Sequence, residues 1–369
     1  MKTIVFTSNV SWAMVKFRYK LLEHLISEGY TLYIIAPKDD FVPKLESLGC
    51  HCIDIHLSRK GVNPIEDFLL FYKLYTLYKE IQPDIIFHYS IKPIVYGSFA
   101  AKLLDLRSVA VNIGLGYTFI HTNIVTKISH LLYKWSLPCA TMVWFINEED
   151  REEFVSRGFV TSSKTLVLPS EGVDLEYFTP LEIKKEEATS FLLIARMLKD
   201  KGIIEFYEAA KKLKKSYPQV KFQLLGNVDL ENPRGIEQEV LEQWHQEGVI
   251  EYLGYAKDVR SYIAQASCVV LPSYREGKGM TLIEAAAMKK PLIATDVEGC
   301  RDIVKDGYNG FLCEVRNSES LAEVMEKFLT LSMEEQEQMG ENGYRFVKEN
   351  FDIKRVITIY MQTLKRFSI

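Results

Sequence analysis

Two glutamates, Glu276 and Glu284, stand eight positions apart in the segment "REGKGMTLIEAAAMKKP" (275–291). Glu276 precedes a turn with two glycines, and Glu284 falls inside the helix that the following apolar residues predict. The leucine, isoleucine and alanines around Glu284 predict that its carboxylate is buried, which is costly unless it accepts hydrogen bonds. Sugar or ribose hydroxyls would supply such donors, so the pair favours a polyhydroxylated ligand.

The same region could also hold phosphate. Gly277 and Gly279 let the backbone approach a ligand closely, and the helix predicted to begin after them directs free N–H groups toward it. Arg196 ends another predicted strand, and Lys201 follows it just before a further helix, an arrangement that suits a diphosphate. Two exposed cations in a loop are the alternative interpretation of Arg196 and Lys201. Together these features favour a nucleotide-sugar.

Alternating strands and helices must position these loops. One series extends from "TIVFTS" to "DIIFHYS" and a second from "SFLLIAR" to "GFLCE". Such β-α-β-α repetition predicts an α/β fold with doubly wound parallel sheets covered on both faces. Ligands of such sheets bind outside the carboxyl ends of the strands, where the loops of the second series carry the candidate residues. Two open sheets also suggest a cleft.

The length of 369 residues exceeds what one hydrophobic core usually supports. We therefore predict a Rossmann-like domain at 1–170 and a second at 171–352. The polar stretch 168–190 is typical of a connection between them. The last helix, within 353–369, could pack back on the first domain.

Composition is ordinary for a soluble globular protein, with 47% apolar and 25% charged residues. No apolar run reaches the roughly 18 residues of a membrane span, and "MKTIVFTSNV" resembles a strand more than a secretory signal, so we expect a cytoplasmic protein. The six scattered cysteines indicate reduced thiols. Cys50, Cys52, Asp54 and His56 would share one strand face, but a half-buried strand explains the pattern, and we expect no metal site.

Charge is unevenly distributed. Residues 1–140 hold 15 basic and 11 acidic side chains, against 30 and 38 in the remainder. This favours an anionic partner for the first domain, such as a diphosphate or an acidic membrane face, and no basic stripe indicates nucleic-acid binding. The segments 71–79 and 124–137 combine aromatic residues with lysines. They could rest on an anionic bilayer or pack as helices on their own sheet.

Glu276 and Glu284 together resemble the E-x7-E signature of the family 4 retaining glycosyltransferases, whose GT-B fold has two Rossmann-like domains facing a cleft. "IARMLKDKG" resembles the diphosphate loop of that family, and "TDVEGCRDIVKDGYNGFL" resembles its C-terminal half. "SRKGVNP", "IKPIVYGSFAAKL" and "GLGYTF" resemble bacterial O-antigen, capsule and N-glycan assembly enzymes. Those enzymes extend polyprenyl-diphosphate-linked sugars.

The resemblance implies a role for each candidate. Glu276 would contact the donor sugar and support charge at its anomeric carbon, Glu284 would hold the ribose, and Arg196 and Lys201 would stabilise the departing nucleoside diphosphate. It also implies metal-independent action, with a UDP-sugar as co-substrate and no other cofactor. Lys278 stands where the family often has an aromatic or aliphatic residue, which could tune sugar choice. The remaining donor-binding positions are Gly277, Gly279, Met280, Thr281, Tyr255 and Gly226.

The acceptor side is less defined. Lys16 and Arg18 could reach an acceptor phosphate or form a solvated helix face. Many relatives carry a histidine near "VNIGLGYTF", where this chain has Asn112, Gly116 and Tyr117, so no catalytic histidine is assigned.

We therefore predict a retaining hexosyltransferase that moves a hexose or N-acetylhexosamine from a UDP-sugar to a polyprenyl-diphosphate-linked saccharide in bacterial surface polysaccharide synthesis. Peripheral contact with the inner face of the plasma membrane would accompany this role. The alternatives are a UDP-N-acetylhexosamine 2-epimerase, which shares the GT-B fold, and a two-domain sugar-binding protein. The donor sugar stays open among N-acetylgalactosamine, galactose, N-acetylglucosamine and glucose, with the first two favoured by the resemblance.

Overall fold

A computed structural model describes residues 2–57, 63–114, 124–181, 188–229 and 232–369. It divides the chain into two compact units. The first comprises residues 1–172 with 353–369, and the second comprises 173–352. The division falls inside the polar stretch 168–190 and two residues beyond the boundary predicted from the sequence.

The first unit contains a seven-stranded parallel sheet in the order β3-β2-β1-β4-β5-β6-β7. The central strands β1 and β4 bury nearly every side chain, because helices cover both faces of the sheet. The strands are β1 (Thr3–Thr7), β2 (Thr31–Ala36), β3 (His51–Asp54), β4 (Ile85–Tyr89), β5 (Ser108–Val111), β6 (Met142–Phe145) and β7 (Thr165–Val167).

The helices of the first unit cover this sheet. Asn63 caps α3 by accepting a hydrogen bond from the Ile65 N–H, and Asn147 caps α6 through the Asp150 N–H. A short π-helix, Pro93–Gly97, leads into α4. The helices are α1 (Trp12–Ser27), α2 (Val42–Leu48), α3 (Pro64–Ile81), α4 (Ser98–Leu103), α5 (Ile124–Ser136) and α6 (Glu148–Ser156).

The last helix of the chain, Ile353–Arg366, belongs to the first unit. Its buried side chains join the core that α1 and the sheet form, and Tyr360 packs edge-on against Trp144 with ring centroids 4.8 Å apart. The sequence allowed this helix to pack back on the first domain, and the structure places it there.

The second unit contains a six-stranded parallel sheet in the order β10-β9-β8-β11-β12-β13. Two apolar clusters fill its two faces. The strands are β8 (Ser190–Ile194), β9 (Lys221–Leu225), β10 (Glu251–Tyr252), β11 (Cys268–Leu271), β12 (Leu292–Thr295) and β13 (Gly310–Cys313).

The helices of the second unit lie on both faces of this sheet. Ser332 and Glu335 form a capping box at the start of α13. The helices are α7 (Ile203–Leu213), α8 (Gln238–Gln246), α9 (Arg260–Gln265), α10 (Met280–Ala287), α11 (Glu298–Arg301), α12 (Ser318–Leu329) and α13 (Met333–Asn350); the C-terminal helix Ile353–Arg366 is α14.

Sequence patterns predicted the second sheet strand by strand but left β5, β6 and β7 unassigned. β5 and β6 have four residues each, and β7 is a three-residue edge strand whose side chains are only half buried. Such short runs carry too little periodicity to be recognised.

Two further features concern membranes and metals. Within the parts of the chain that the structure describes, no helix combines the length and hydropathy needed to cross a membrane. The same parts contain no group of three or more metal-capable side chains. Burial raises the pKa of the Cys50 thiol to about 12 and that of Cys52 to about 11, so both thiols stay protonated near neutral pH.

Candidate active site

Two loops of the second unit meet where the order of its sheet reverses. From β8 the chain continues to β9 and β10 on one side, and it returns to β11 on the other. The loops after β8 and β11 are joined by a hydrogen bond from the Tyr274 N–H to the Asp200 carbonyl, 2.9 Å long. Gly202 fits here because a Cβ atom would lie 2.1 Å from the Pro272 carbonyl oxygen. This reversal is the usual ligand position of a doubly wound sheet.

These loops bring Lys201 and Glu276 together across 75 positions of sequence. The Lys201 Nζ donates to Glu276 Oε1 at 2.5 Å. The side chains are 23% and 12% exposed, so the pair is partly shielded from water yet reachable from outside the unit. Two predicted catalytic residues thus form one ion pair at the reversal.

The turn after Glu276 packs by its backbone against α11. The Gly279 N–H donates to the Gly299 carbonyl at 3.0 Å, and the Met280 N–H donates to the Lys278 carbonyl at 2.8 Å. α10 begins at Met280 without a side-chain cap from the described residues. The Leu282 N–H also donates within the turn, to the Gly279 carbonyl at 2.9 Å, so what this N-terminus offers is chiefly the positive end of the helix dipole. The predicted phosphate-binding turn therefore has the required helix behind it.

Glu284 lies one turn into α10 and is 3% exposed. Its neighbours in the chain, Ile283 and Ala285, are fully buried. The prediction that apolar neighbours bury this carboxylate is confirmed. Thr281, on the preceding turn of the helix, directs its hydroxyl toward the carbonyl of Ile194 at the end of β8, 3.5 Å away.

Lys278 has a different environment from the one predicted. Its ammonium group pairs with the Asp302 carboxylate and lies 5.8 Å from the centre of the Phe351 ring. The side chain is only 6% exposed, since it is folded into its own unit. The Lys278 side chain is therefore tied to its own unit, and the interpretation that it tunes sugar choice stays a prediction.

The other donor-side candidates lie on neighbouring loops. Arg196 follows β8, is 57% exposed on its side chain, and has Nη1 3.5 Å from Asp229 Oδ2. Gly226 follows β9 and lies so close to β8 that a Cβ atom would be 1.7 Å from the Ala195 carbonyl oxygen. Tyr255 is 63% exposed in the loop after β10. All three flank the carboxyl ends of the strands.

The pKa of the buried Cys300 thiol responds to the charges of Glu276 and Lys201. Burial raises the pKa of its thiol, the carboxylate of Glu276 adds to the effect, and the ammonium of Lys201 opposes it. Cys300 therefore stays a thiol, and both members of the ion pair act on it electrostatically.

In the first unit, Arg18 is buried. Its Nη2 donates to Glu171 at 2.6 Å, and its guanidinium lies 3.8 Å from the centre of the Tyr89 ring. Burial alone would lower the pKa of Arg18, but Glu171 together with the hydroxyl groups of Tyr89 and Tyr360 outweighs this effect, and the pKa is raised. Arg18 is thus no solvated helix face. Because Glu171 already neutralises it inside the unit, we revise its predicted role from direct phosphate contact to positioning.

The remaining acceptor-side candidates divide into two groups. Lys16 is exposed on α1, near the ring of Phe17. Asn112 is 4% exposed directly after β5, where its N–H donates to the Trp144 carbonyl at 2.8 Å. Gly116 and Tyr117 lie outside the described residues.

The sequence interpretation missed three residues near these positions. Glu171 falls within the polar stretch that the sequence predicts as a connection. A carboxylate beside a glycine at the end of a domain is a signal for an ion pair with a basic residue of that domain. Asn9 and Ser90 follow β1 and β4, the two strands at which the first sheet reverses, and the Ser90 hydroxyl donates to Asn9 Oδ1 at 2.7 Å. Strand order, once known, would have identified them.

Two units that each contain a doubly wound parallel sheet are the domain composition of the GT-B class of fold. Solved structures agree on the fold. Anabaena Alr3699/HepE in complex with UDP and glucose aligns with a TM-score of 0.80 at 18% identity, over 99% of this chain and 100% of that one. A glycosyltransferase from Rickettsia africae aligns with a TM-score of 0.78 at 20% identity, over 99% and 98%.

Family models identify the chain. The model "Glycosyl transferases group 1" matches residues 177–346, and the model "Glycosyl transferase 4-like" matches residues 3–147. Between them they account for most of both units. The second unit thus matches the group 1 model and the first unit the 4-like model, and the chain is a glycosyltransferase.

Curated relatives are similar along most of the chain. The N,N'-diacetylbacillosaminyl-diphospho-undecaprenol alpha-1,3-N-acetylgalactosaminyltransferase of Campylobacter jejuni is 28% identical over 98% of this chain and 99% of its own length. The UDP-Gal:alpha-D-GlcNAc-diphosphoundecaprenol alpha-1,3-galactosyltransferase of Escherichia coli is 26% identical over 80% of each. The names of both describe transfer of a sugar to a diphosphoundecaprenol-linked sugar.

Proposed function

We propose that this glycosyltransferase moves a hexose or N-acetylhexosamine from a UDP-sugar to a polyprenyl-diphosphate-linked saccharide, with retention of anomeric configuration and without a metal ion. The observation that carries the proposal is the Lys201–Glu276 ion pair at the reversal of the second sheet. Both relatives named above act on diphosphoundecaprenol-linked sugars, which supports the acceptor class.

The donor would lie across the loops after β8, β9 and β11. The diphosphate would take over the ammonium of Lys201 from Glu276 and would lie at the positive end of the helix dipole of α10. Arg196, exposed beside these loops, would bind the same phosphates. Buried Glu284 would accept hydrogen bonds from the ribose hydroxyls, and Glu276 would turn to the sugar.

The chemical step would proceed on one face of the sugar. The acceptor hydroxyl oxygen forms a bond to the anomeric carbon as the bond from that carbon to the diphosphate oxygen breaks. The departing phosphate oxygen takes the acceptor proton, so UDP and a new glycosidic bond are the products. Lys201 and Arg196 stabilise the negative charge that develops on UDP, and Glu276 supports the positive charge at the anomeric carbon.

The first unit would hold the acceptor. Asn9 and Ser90 at the reversal of its sheet, together with Asn112, offer polar groups in the position where doubly wound sheets bind ligands. A lipid-linked acceptor also implies that the protein associates peripherally with the inner face of the plasma membrane.

The test is a screen of UDP- and GDP-sugars with a short-chain prenyl-diphosphate sugar as acceptor, scored by release of nucleotide. We expect one UDP-sugar to give UDP and a product whose new linkage keeps the donor's anomeric configuration by NMR, with and without EDTA. Interconversion of free UDP-sugars without transfer would instead establish the epimerase. Inversion of configuration, or loss of activity in EDTA, would contradict the mechanism.

A further inference from the structure

Three helices of the first unit carry apolar side chains on their exposed sides. They are α3, α4 and α5, and we call their outer surface the three-helix face. Each of the following side chains is more than half exposed: Ile65, Phe68 and Leu69 on α3, Leu103 on α4, and Leu131 and Trp135 on α5.

A groove joins the three helices into one surface. Its volume is about 640 Å³, and its walls include Phe68 and Phe71 from α3, Leu103 from α4, and Ile128 and Leu132 from α5. Phe68 and Leu103 line the groove and are also among the exposed residues, so the groove and the outer side chains are continuous. The result is one apolar surface that three separate helices build.

The core of the first unit does not account for these side chains. α3 already buries Leu70, Leu74 and Leu77 on its opposite side. A surface helix of a globular protein normally carries polar residues opposite its buried stripe. Apolar residues on the outer side therefore indicate an interaction surface.

Lysines border the apolar residues. Lys127 and Lys134 lie on the exposed side of α5, four and three positions from Leu131. Lys102 lines the groove. Within the described part of the chain, Lys127 and Lys134 form no ion pair, whereas Asp67 on α3 is buried and held by Lys92 at 2.8 Å. Unpaired cations beside exposed tryptophan and leucine are typical of helices that lie in the surface of an anionic bilayer.

We propose that the three-helix face rests on an anionic lipid bilayer, with Leu131 and Trp135 inserted among the lipids and the lysines against their headgroups. The inference rests on the proposed function, because a lipid-linked acceptor must be reached at a membrane. Charge favours a bilayer over a second copy of the chain, since a two-fold contact would bring the lysines of both copies together.

The experiment measures sedimentation of the purified protein with vesicles of phosphatidylglycerol and phosphatidylethanolamine, and with vesicles of phosphatidylcholine alone. We expect binding to the anionic vesicles, at least tenfold weaker binding to the neutral ones, and a blue shift of tryptophan fluorescence on binding. Leu131→Ser combined with Trp135→Ser should weaken anionic-vesicle binding at least tenfold and remove the shift. Tyr308→Ser combined with Met333→Ser, which alters exposed apolar residues of the second unit, should bind like the unaltered protein.

The lysines are tested separately. Lys127→Glu combined with Lys134→Glu should weaken binding about tenfold or more at low salt. Each lysine near an anionic surface raises the affinity for that surface about fivefold. Lys215→Glu combined with Lys348→Glu is the matched charge change on exposed lysines of the second unit. Equal losses in both pairs would overturn a specific role for the three-helix face.

Turnover in solution separates this inference from the proposed function. With a short-chain prenyl acceptor and no vesicles, the Leu131→Ser, Trp135→Ser protein should release UDP within twofold of the unaltered rate. No turnover by the unaltered protein, with vesicle binding intact, would count against the proposed function alone. Vesicle binding that Leu131→Ser and Trp135→Ser leave unchanged would overturn the inference. If the unaltered protein is a dimer and these substitutions only convert it to a monomer, the three-helix face is a dimer interface instead.

Discussion

The Arg18–Glu171 pair of the first unit and the Lys201–Glu276 pair of the second differ in accessibility. Arg18 and Glu171 in the first unit are 2% and 10% exposed on their side chains, and aromatic rings enclose them. Lys201 and Glu276 in the second unit are 23% and 12% exposed. A pair enclosed in this way can only fix the structure around it, whereas a reachable pair can exchange one partner for a ligand. The same chemistry thus suits positioning in one unit and the proposed donor binding in the other.

The largest effect is expected for the enclosed pair. Arg18→Met should lower the free energy of unfolding by about 3–5 kcal/mol, because it leaves the Glu171 carboxylate buried without its cation. Urea denaturation measures this. Arg18→Met combined with Glu171→Leu should recover more than half of the loss, since an apolar replacement of both partners is often close to neutral. Unchanged stability with a raised KM for the acceptor would instead restore a direct contact between Arg18 and the acceptor.

The reachable pair should show the opposite pattern. Lys201→Met should lower kcat about 10²–10³-fold, as expected for loss of one group that stabilises charge in the transition state. Stability should change by less than about 1 kcal/mol, because the pair is partly exposed to solvent. Lys199→Met, two positions earlier and exposed, is the matched control and should retain activity. A loss of stability as large as that of Arg18→Met, with kcat retained, would remove the distinction between the two pairs.

Close backbone packing fixes the loop after β9 in the second unit. A Cβ atom on Gly226 would lie 1.7 Å from the Ala195 carbonyl oxygen, and φ at Gly226 is 155°. Gly226→Ala should therefore cost about 2–3 kcal/mol of stability, as backbone strain and overpacking do. Gly248→Ala is the control, since φ there is 71° and the Cβ would meet open space. Equal urea midpoints for the two variants would show that the loop adapts freely.

The sequence predicted those features of the structure that depend on residues close together in the chain. Glu284 was correctly predicted to be buried because its own neighbours are apolar, and the loops that carry Arg196, Lys201 and Glu276 follow strands with clear patterns. The doubly wound fold of both units followed from the same alternation.

Contacts between distant residues were not predictable. Arg18 and Glu171 are 153 positions apart, and Lys278 and Asp302 are 24 apart. Periodicity reports only which side of an element faces the core, so it identifies neither the partner of a charged side chain nor the direction in which a loop residue points. The partners of Arg18 and Lys278 were missed for that reason.

The smallest effect tests whether another polar group of the first unit is equally enclosed. His88 is fully buried, its Nε2 lies 3.1 Å from the Tyr78 hydroxyl, and that hydroxyl lies 2.9 Å from Thr7 Oγ1. Burial lowers the pKa of His88 to about 3. The unfolded chain takes up a proton at a pKa of about 6.5, while the folded chain does not until about 3. His88 therefore contributes stability that is present above pH 6.5 and is lost as the pH falls toward 3.

Between pH 7.5 and 5.5 this loss should amount to about 1.4 kcal/mol, measured as the change in the free energy of urea unfolding. His88→Gln should remove that part of the pH dependence, because glutamine does not titrate, whatever its effect on stability at pH 7.5. His245→Gln, on the exposed side of α8, should leave the slope as it was. If the pH dependence of the unfolding free energy is unchanged in His88→Gln, His88 does not contribute to it. The imidazole would then bind a proton in the folded protein as readily as in the unfolded chain, and the first unit would be less closed than its Arg18–Glu171 pair indicates.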